Sequence, residues 1–393
     1  MDVKVSVTTL ALFLLLASYV TAAHSGVFHV NNYGAVPHGD ITEALKHAWK
    51  DACASTTPSK VAVPRGTYKL KQITLRGPCK APINVLVQGT ILAPINPNHL
   101  NGNDQWVRFE YIDFLTLSGG GTFNGRGKKM AWNQNDCGKN KNCKMLPMNF
   151  GFSFIKNSVI KDITSKDSKN FHVNVLGCKN VTFNNFSIKA PATSPNTDGI
   201  HIGRSTQVNI INSKIGTGDD CISLGDGSRQ VTVLNVTCGP GHGISVGSLG
   251  KYPNEEPVED FTVRNCTLKN TDNGVRIKTW PGTPITSIAS NFHFEDIIMV
   301  NVRNPIIIDQ EYCPWNQCKK QSPSKVKISK VTFKNIRGTS ATKEGVALVC
   351  SSGVPCETVE LIDIDLSFNG TIATAKCANV KPKIQRKAPT CAA

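Results

Sequence analysis

Three motifs recur at a fixed interval in the middle of the chain, and this interval constrains the fold more than any other feature. Three isoleucines stand 22 residues apart, and a polar residue precedes each by two positions: Asp198 before Ile200, Asp220 before Ile222 and His242 before Ile244. Periods of about 20 to 50 residues are typical of repeat proteins, whose single coils cannot bury their apolar faces alone. Stacked parallel strands lie about 4.8 Å apart. The interval therefore predicts a ladder of two carboxylates and an imidazole on one face of a solenoid, with Asp219 as a neighbour.

The segments around these motifs are typical of short strands in a parallel β-helix. Stretches rich in Val, Ile, Thr and Phe alternate with Gly, Asn and Asp, and Val208 and Val231 repeat at the similar interval of 23 residues. Asparagines follow several strands, as expected where the backbone turns with a positive φ: Asn212, Asn235, Asn265 and Asn335. An antiparallel sandwich would also give short strands with turn signals. The constant interval favours the all-β parallel β-helix.

Residues 39–53 carry the one convincing helical pattern, because their apolar residues recur at the period of an amphipathic helix. Asp40 is the predicted N-cap, and Glu43 three residues later completes a predicted capping box. The open end of a β-helix exposes core and unpaired strand edges that invite aggregation. We therefore expect this α-helix to cap the N-terminal end of the solenoid.

The first 22 residues predict a secretory signal peptide, because a lysine precedes an apolar run that ends in small residues. That run is short for a membrane span, and no later stretch reaches about 18 apolar residues. Secretion agrees with 14 cysteines and with five N-glycosylation sequons, at Asn180, Asn185, Asn235, Asn265 and Asn369. Since no Pro/Ser-rich linker divides the remainder, residues 23–393 are expected to form one domain of a secreted, extracellular protein.

The cysteine spacings predict disulfides rather than a zinc site. Four close pairs are typical of local loop staples: Cys137/Cys143, Cys313/Cys318, Cys350/Cys356 and Cys377/Cys391. Cys221 and Cys238 fall on successive coils and could clamp them together. No pair has CxxC spacing and no paired histidines accompany them, which disfavours zinc. The spacing alone does not fix the connectivity.

The formal net charge of +16 limits the class of partner. A basic secreted protein suits an acidic polymer. Nucleic acid is an unexpected partner for an exported chain, and no zinc-finger, helix-turn-helix or aromatic RNA-binding pattern is present. The sequence therefore predicts neither a nucleic-acid nor a membrane partner, and part of the excess lysine is expected to be solvated surface.

Asp198, Asp219 and Asp220 form a predicted cluster of carboxylates. Like charges within a few ångströms cannot all stay ionised, so one pKa rises and that group can donate a proton at mildly acidic pH. Cleavage of a glycosidic bond needs such an acid, together with a carboxylate that activates water or attacks carbon. His242 is expected to hydrogen-bond the acid or tune its proton.

Arg276 and Lys278 alternate with apolar residues, so both cations share one face of the next coil. A guanidinium and an ammonium on that face suit a substrate carboxylate. Clustered carboxylates also suit calcium, but the adjacent cations disfavour it. Each motif taken alone is more often a structural turn, and only their order and register favour catalysis.

Strand alternation sets a condition on this cluster. It would turn Asp198 towards the isoleucine side and would place Asp219 opposite Asp220. The carboxylates can face one cleft only if the chain bulges or turns just before each strand. Gly199 and Gly218 would permit that.

Four motifs in this order, NTDG, GDD, GHG and RIK, resemble the signature of the polygalacturonases, family 28 of the glycoside hydrolases. The resemblance covers the whole mature chain, including GGGTFNGRG from Gly119, and is strongest to the pollen exopolygalacturonases of plants, some of which are allergens. It implies a right-handed parallel β-helix that hydrolyses α-1,4-galacturonosyl bonds of polygalacturonate with inversion and without a metal or cofactor. An exo-acting monomer that releases galacturonate in the cell wall is the expectation.

The resemblance also implies a role for each residue of the motifs. Asp219 is the implied general acid, Asp198 and Asp220 are the pair that activates water, and His242 supports the acid. The implied substrate-binding residues are Asn196, Arg276, Lys278 and Tyr312. Stacked positions about 4.8 Å apart suit retention better than inversion by the generic separation rule, so inversion rests on the resemblance alone.

Four alternatives stay open at this point. Endo action is one, although the loops at 132–147 and 249–259 are expected to close one end of the cleft. A rhamnogalacturonan hydrolase shares the fold and the acids, but the paired cations favour polygalacturonate. A pectate lyase also uses a parallel β-helix, with calcium and a basic residue that abstracts a proton. A non-catalytic pectin-binding wall protein is the alternative from a different class.

Overall fold

The computed structural model describes residues 26–100, 104–135, 143, 145–316, 318 and 321–391. The predicted signal peptide at residues 1–22 lies outside the described residues, as does Cys137. No helix in the described ranges combines the length and the apolar character that a membrane span requires. Except for one terminal hairpin, the strand pairings of this part of the chain are parallel, which confirms the predicted parallel β-helix.

Each central coil contributes two strands to one sheet and one strand to a second sheet. In the coil that leads to the first motif, Lys179–Asn184 and Ser187–Lys189 belong to the first sheet, and Ile200–Gly203 belongs to the second. The next coil repeats this order in register. In later coils the two strands of the first sheet are continuous, as in Val258–Lys269.

The strand bounds show how regularly the coils repeat. Among the described residues the second sheet has 11 strands: Ile73–Arg76, Gln105–Glu110, Met148–Ser153, Val173–Leu176, Ile200–Gly203, Ile222–Leu224, Ile244–Leu249, Asn273–Thr279, Asn304–Asp309, Glu344–Val349 and Thr374–Ala378. The first sheet has 21: Gly26–His29, Ser59–Val63, Thr67–Lys69, Ile83–Val87, Thr90–Leu92, Leu115–Ser118, Thr122–Asn124, Lys156–Lys161, Thr164–Lys166, Lys179–Asn184, Ser187–Lys189, Thr206–Ile211, Lys214–Gly216, Arg229–Leu234, Thr237–Cys238, Val258–Lys269, Ser287–Val302, Val326–Ser340, Glu357–Phe368, Thr371–Ile372 and Lys383–Gln385.

The isoleucine interval sets the register of the second sheet. Ile200 pairs with Ile222, which pairs with Ile244, and Val275 follows in the same column. All four side chains are fully buried. Burial of each contributes about 1.5–3 kcal/mol, so the register is fixed by the core rather than by the polar residues that precede it.

Asparagines form a second column at the corner between the two strand segments of the first sheet. Asn212, Asn235 and Asn265, called the corner column here, have φ values of 52°, 55° and 52°, as their sequence context predicts. The amide of Asn235 donates to Asn212 Oδ1 at 3.1 Å, and that of Asn265 donates to Asn235 Oδ1 at 2.5 Å. Each corner is therefore hydrogen-bonded to the next coil.

The predicted cap is an α-helix at Thr42–Ala54, and its apolar face packs on the first strands. Half of the predicted capping box is present. Asp40 Oδ1 accepts from the backbone N–H of Thr42 at 3.0 Å and so caps the first turn, although Ile41 occupies the N-cap position. The predicted return contact from Glu43 is wrong. Glu43 instead forms an ion pair with Lys46 at 2.8 Å. The other described helices are short: the α-helix Ala131–Gln134 and the 3₁₀ turns Val30–Tyr33, Pro97–His99, Gly127–Lys129 and Pro314–Asn316.

Four predicted disulfides are present in the described residues: Cys221–Cys238, Cys313–Cys318, Cys350–Cys356 and Cys377–Cys391. The pairing of Cys143 with Cys137 stays a prediction, because Cys137 lies outside the described part. Cys53–Cys79, which the spacing did not predict, joins two segments that meet only once the cap has docked. Cys178 and Cys266 are buried free thiols, so the even number of cysteines does not mean that all are paired.

Candidate active site

The three carboxylates lie in turns that lead into neighbouring strands of the second sheet. Asp198 precedes the strand Ile200–Gly203, and Asp219 and Asp220 precede the strand Ile222–Leu224. Since these residues stand before the strands, the alternation of side chains within a strand does not separate them. The sequence predicted that the chain must either bulge or turn just before each strand if the carboxylates are to face one cleft. The structure shows a turn.

Two glycines make these turns possible through close approach of the backbone. A Cβ atom on Gly199 would lie 2.3 Å from the carbonyl oxygen of Cys221. A Cβ atom on Gly218 would lie 1.9 Å from the carbonyl oxygen of Ser194. Any other residue would push neighbouring coils apart and displace the carboxylates beside them.

Asp220 is the most strongly paired carboxylate of the site. Its side chain is 2% exposed, Oδ1 accepts from Arg276 Nη2 at 2.9 Å, and Oδ2 accepts from Lys278 Nζ at 2.7 Å. Ser245 Oγ also donates to Oδ1 at 2.9 Å. Burial raises the pKa of this carboxyl, but Lys278 and Arg276 outweigh burial and hold the pKa below its ordinary value. Asp220 is therefore ionised at mildly acidic pH.

Asp198 lies in the same wall but in the opposite electrostatic environment. Its residue is 6% exposed, and its Oδ2 accepts from Ser223 Oγ at 3.3 Å. Burial, followed by the charges of Asp219 and Asp220, raises the pKa of Asp198 well above its ordinary value. One raised pKa was predicted for the carboxylate cluster, and Asp198 is the residue that has it.

Asp219 connects the carboxylates to His242. Its Oδ1 accepts from the backbone N–H of Asp220 at 2.8 Å and from His242 Nδ1 at 3.0 Å. The side chain is 27% exposed, and Oδ2 makes no hydrogen bond to any described residue. One oxygen is thus held in place while the other is available to a ligand.

The imidazole of His242 bridges two carboxylates. Its Nδ1 faces Asp219, and its Nε2 lies 3.3 Å from Asp272 Oδ2. The hydrogen bond to Asp219 raises the pKa of His242, and the charges of Asp219, Asp220 and Asp272 add to this against the opposing effect of burial. A protonated His242 can donate to both carboxylates at once.

Tyr312 lies against both predicted substrate-binding cations. Lys278 Nζ is 5.3 Å and Arg276 Cζ is 5.9 Å from the centroid of its ring. The edge of Trp280 packs on the same ring at 5.9 Å between centroids. A guanidinium has five N–H donors and an ammonium has three, and Asp220 uses only some of them. The pair can therefore hold Asp220 and bind a second anion.

Asn196 is placed differently from the other predicted residues. Its amide donates to Asn170 Oδ1 at 2.6 Å, which ties it to the preceding coil rather than to the carboxylates. Its φ of 53° marks the start of the turn that delivers Asp198. The contacts of Asn196 are those of a residue that shapes this turn.

The site also contains atoms that could ligate a metal. Asp219, Asp220 and His242 offer ligand atoms within 4.8 Å of one another. However, both oxygens of Asp220 already pair with cations, which oppose a divalent ion at the same place. The arrangement suits proton transfer and anion binding better than metal coordination.

A polar column that supports the carboxylates was not predicted from the sequence. His201, Ser223 and Ser245 follow the three buried isoleucines by one position and pair in register, and the predicted Arg276 continues the column after Val275. His201 Nδ1 hydrogen-bonds Ser223 Oγ at 2.8 Å, and desolvation lowers the pKa of His201 to about 4. The same 22-residue interval, applied to the residue after each isoleucine, would have found the first three. Asp272 had no comparable signal, because a longer turn separates it from His242.

The geometry agrees with comparisons to known proteins. A polygalacturonase of Medicago sativa is 58% identical over 394 residues, which cover 99% of this chain and 93% of that protein. An exopolygalacturonase of Oenothera organensis is 57% identical over 351 residues, covering 88% and 96%. The solved structure of the endo-xylogalacturonan hydrolase from Aspergillus tubingensis has the same fold, with a TM-score of 0.77 at 24% identity, covering 90% and 98%. Residues 53–391, which include every carboxylate, imidazole and cation of the site, match the model of glycosyl hydrolases family 28, and this chain belongs to that family.

Proposed function

We propose that this glycoside hydrolase cleaves α-1,4-galacturonosyl bonds of polygalacturonate, the de-esterified form of pectin. The observation that carries the proposal is the ionised Asp220, held between Arg276 and Lys278 beside the accessible carboxyl of Asp219. This places acids that cut a glycosidic bond next to cations that bind a uronate. Relatives named polygalacturonase and exopolygalacturonase, at 58% and 57% identity, support the same substrate.

Asp219 is the general acid in this mechanism. Its Oδ2 donates a proton to the glycosidic oxygen, while Oδ1 stays hydrogen-bonded to His242 and to the backbone of Asp220. His242 holds the carboxyl in one orientation through this bond. The leaving sugar departs with a neutral hydroxyl group, and Asp219 is left as a carboxylate.

Asp220 activates the water in the same step. The water loses a proton to the carboxylate while its oxygen attacks the anomeric carbon, and the bond from that carbon to the glycosidic oxygen breaks. Asp198 shares this task only above its raised pKa, where it becomes ionised. Attack on the face opposite the leaving group would invert the configuration, as the family resemblance implies. Proton magnetic resonance of the first-formed anomer tests this assignment.

We further propose exo action, in which the enzyme removes single galacturonate units from one end of the polymer. The loop at 249–259 follows the strand Ile244–Leu249, and its middle is held by Arg204, whose Nη2 donates to the carbonyl of Asn254 at 3.0 Å. A fixed loop at the rim restricts the cleft and favours the end of a polymer. The exopolygalacturonase of Oenothera organensis supports this mode. Half of the second predicted loop, at 132–147, lies outside the described residues, and this loop adds no support.

Secretion to the cell wall, a monomeric state and N-glycosylation complete the proposal. The described disulfides suit an oxidising, extracellular location. All five sequon asparagines are exposed, which suits the attachment of a glycan. Mass spectrometry of the secreted protein before and after removal of N-glycans would identify the modified positions.

Product analysis on de-esterified polygalacturonate tests the whole proposal. Wild-type protein is expected to release saturated monogalacturonate without calcium, and Asp219→Asn is expected to lose roughly 10²–10⁴ of the rate while still binding the polymer. Mid-sized oligomers early in digestion would indicate endo action instead. Unsaturated, ultraviolet-absorbing ends would indicate a lyase, and binding without any cleavage by wild type would indicate a wall-binding protein.

A further inference from the structure

A basic residue at the rim of the cleft has a defined setting that the proposed hydrolysis does not use. We propose that Lys251, seated on Trp280 and Tyr252, forms a further carboxylate-binding subsite for a galacturonate unit of the same polymer that lies beyond the two units flanking the cleaved bond. The three residues are called the rim cluster here. The inference rests on the proposed function and extends it to a residue that determines the preferred length and charge of the substrate.

Lys251 is oriented by aromatic rings rather than by an acid. Its Nζ lies 5.1 Å from the centroid of Trp280 and 5.3 Å from that of Tyr252. Both Lys251 and Tyr252 are exposed, and Lys251 forms no ion pair with any described residue. A cation over two rings is held in place with its charge uncompensated, which is the state that suits an incoming carboxylate.

The rim cluster continues the face that carries the catalytic cations. Arg276, Lys278 and Trp280 alternate along one strand and its immediate extension, so all three side chains share the outer face. Trp280 packs on Tyr312 at 5.9 Å, and Tyr312 in turn lies 5.3 Å from Lys278 Nζ. Two rings therefore separate the ammonium groups of Lys278 and Lys251. The two cations serve different sugar units, and the half-buried ring of Tyr312 offers apolar surface to a sugar face.

The loop that presents Lys251 is held in one conformation. The Glu255 carboxylate accepts from the backbone N–H groups of Gly250, Lys251 and Tyr252 at 2.5, 2.8 and 2.9 Å. Trp280 is fixed as well, because its Nε1 donates to Ser248 Oγ at 2.9 Å. The loop and the side chain therefore lose little conformational entropy when a polymer binds. The contact of Lys251 with the carboxylate then adds to the affinity.

Steady-state kinetics of Lys251→Ala test the subsite. We expect KM for long polygalacturonate to rise about five- to tenfold and kcat to stay within about twofold, because an exposed charged contact is worth about 1 kcal/mol. KM for digalacturonate, too short to reach the rim, should not change. Lys251→Arg should retain most of the affinity. Lys179→Ala, which removes an exposed lysine of the first sheet, is the matched control and should resemble wild type.

The outcomes separate this inference from the proposed function. If wild type cleaves polygalacturonate and Lys251→Ala has an unchanged KM for the long polymer, the subsite is overturned and the function stands. An equal loss on digalacturonate would also overturn it, because that would indicate a disturbed cleft. If wild type cleaves nothing, the function fails. Calorimetric binding of polygalacturonate to Asp219→Asn, with and without Lys251→Ala, then decides whether the rim cluster binds the polymer.

Discussion

The corner column of asparagines and the catalytic column of Asp198, Asp220 and His242 both run along the same solenoid, yet they differ in electrostatics. Asn235 shows the pattern of the corner column, because its amide donates to Asn212 and accepts from Asn265. Carboxylates only accept, so stacked acids repel one another. The pKa of Asp198 rises well above its ordinary value, while Asp220 needs two cations to stay ionised.

This difference separates a stabilising column from a functional one. The hydrogen bonds of the corner column join neutral amides and need no counterion. The catalytic column depends on Arg276 and Lys278 from the next coil and on burial of an acid that would be more stable in water. Substitutions in the corner column should therefore lower stability without loss of activity. Substitutions in the catalytic column should change stability and activity by different amounts or in different directions.

The largest effect is expected at Asp220. Asp220→Asn leaves the buried Arg276 and Lys278, whose side chains are 13% and 8% exposed, without their counterion. We expect a loss of about 3–5 kcal/mol in the free energy of unfolding, together with loss of activity. Urea unfolding at pH 6 measures it, and Ser245→Ala, which removes hydrogen bonds to Asp220 and Arg276 but no charge, is the control. An unfolding midpoint equal to that of wild type would contradict the assigned role of the ion pairs.

At Asp198 activity and stability should change in opposite directions. Its pKa is raised in the folded state, so wild-type stability falls as pH rises from the ordinary value of 3.8 through the raised pKa. Asp198→Asn stays neutral and should be more stable than wild type at pH 7 but not at pH 3. Above the raised pKa, where Asp198 takes part in activating the water, the rate of the variant on polygalacturonate should be roughly 10²–10⁴-fold below that of wild type. Thermal unfolding at the two pH values checks the sign, and a less stable variant at pH 7 would refute it.

A smaller loss, in stability alone, is expected in the corner column. Asn212 donates to Asn184 at 3.2 Å and accepts from Asn235 at 3.1 Å. Asn212→Gly removes both exposed hydrogen bonds but keeps the positive φ, and should cost about 1–2 kcal/mol. Asn212→Ala should cost about 1–2 kcal/mol more, because it adds backbone strain. Guanidinium unfolding separates the two variants, and any loss of kcat would show that the columns are not independent.

The smallest effect concerns Asp272. Its charge contributes to the raised pKa of His242, and its carboxylate is 52% exposed. Asp272→Asn should lower the pKa of His242, so the alkaline limb of the rate profile moves to lower pH. We expect a rate about two- to fivefold lower at pH 7 and almost unchanged at pH 5. A uniform loss at all pH values would indicate a structural role only.

Periodic features of the fold were predictable from the sequence because each is repeated locally. The isoleucine interval predicted the register of the second sheet, and the asparagines predicted the positive φ of the corners. Short cysteine spacings predicted local disulfides for the same reason. These inferences need only the chain within one or two coils.

Features that join distant coils could not be predicted in this way. Lys278 and Asp220 are 58 residues apart, and their contact depends on the length of the turn between Leu249 and Val258. The contact of His242 with Asp272 depends on the length of the same turn and could not be predicted either. The direction of each pKa shift also depends on burial and on these distant charges, so the motif alone did not indicate that Asp198 would have the raised value.

The steric restriction at Gly218, where a Cβ atom would meet a carbonyl of the preceding coil, has an evolutionary consequence. Descendants of this chain cannot lengthen or replace the backbone beside the carboxylates without separating two coils. Insertions are tolerated instead after the strand Ile244–Leu249, where the coil already grows from 22 to 31 residues. New substrate preferences should therefore arise through longer or shorter loops at that end of the strands, while the coils that carry the acids keep their length.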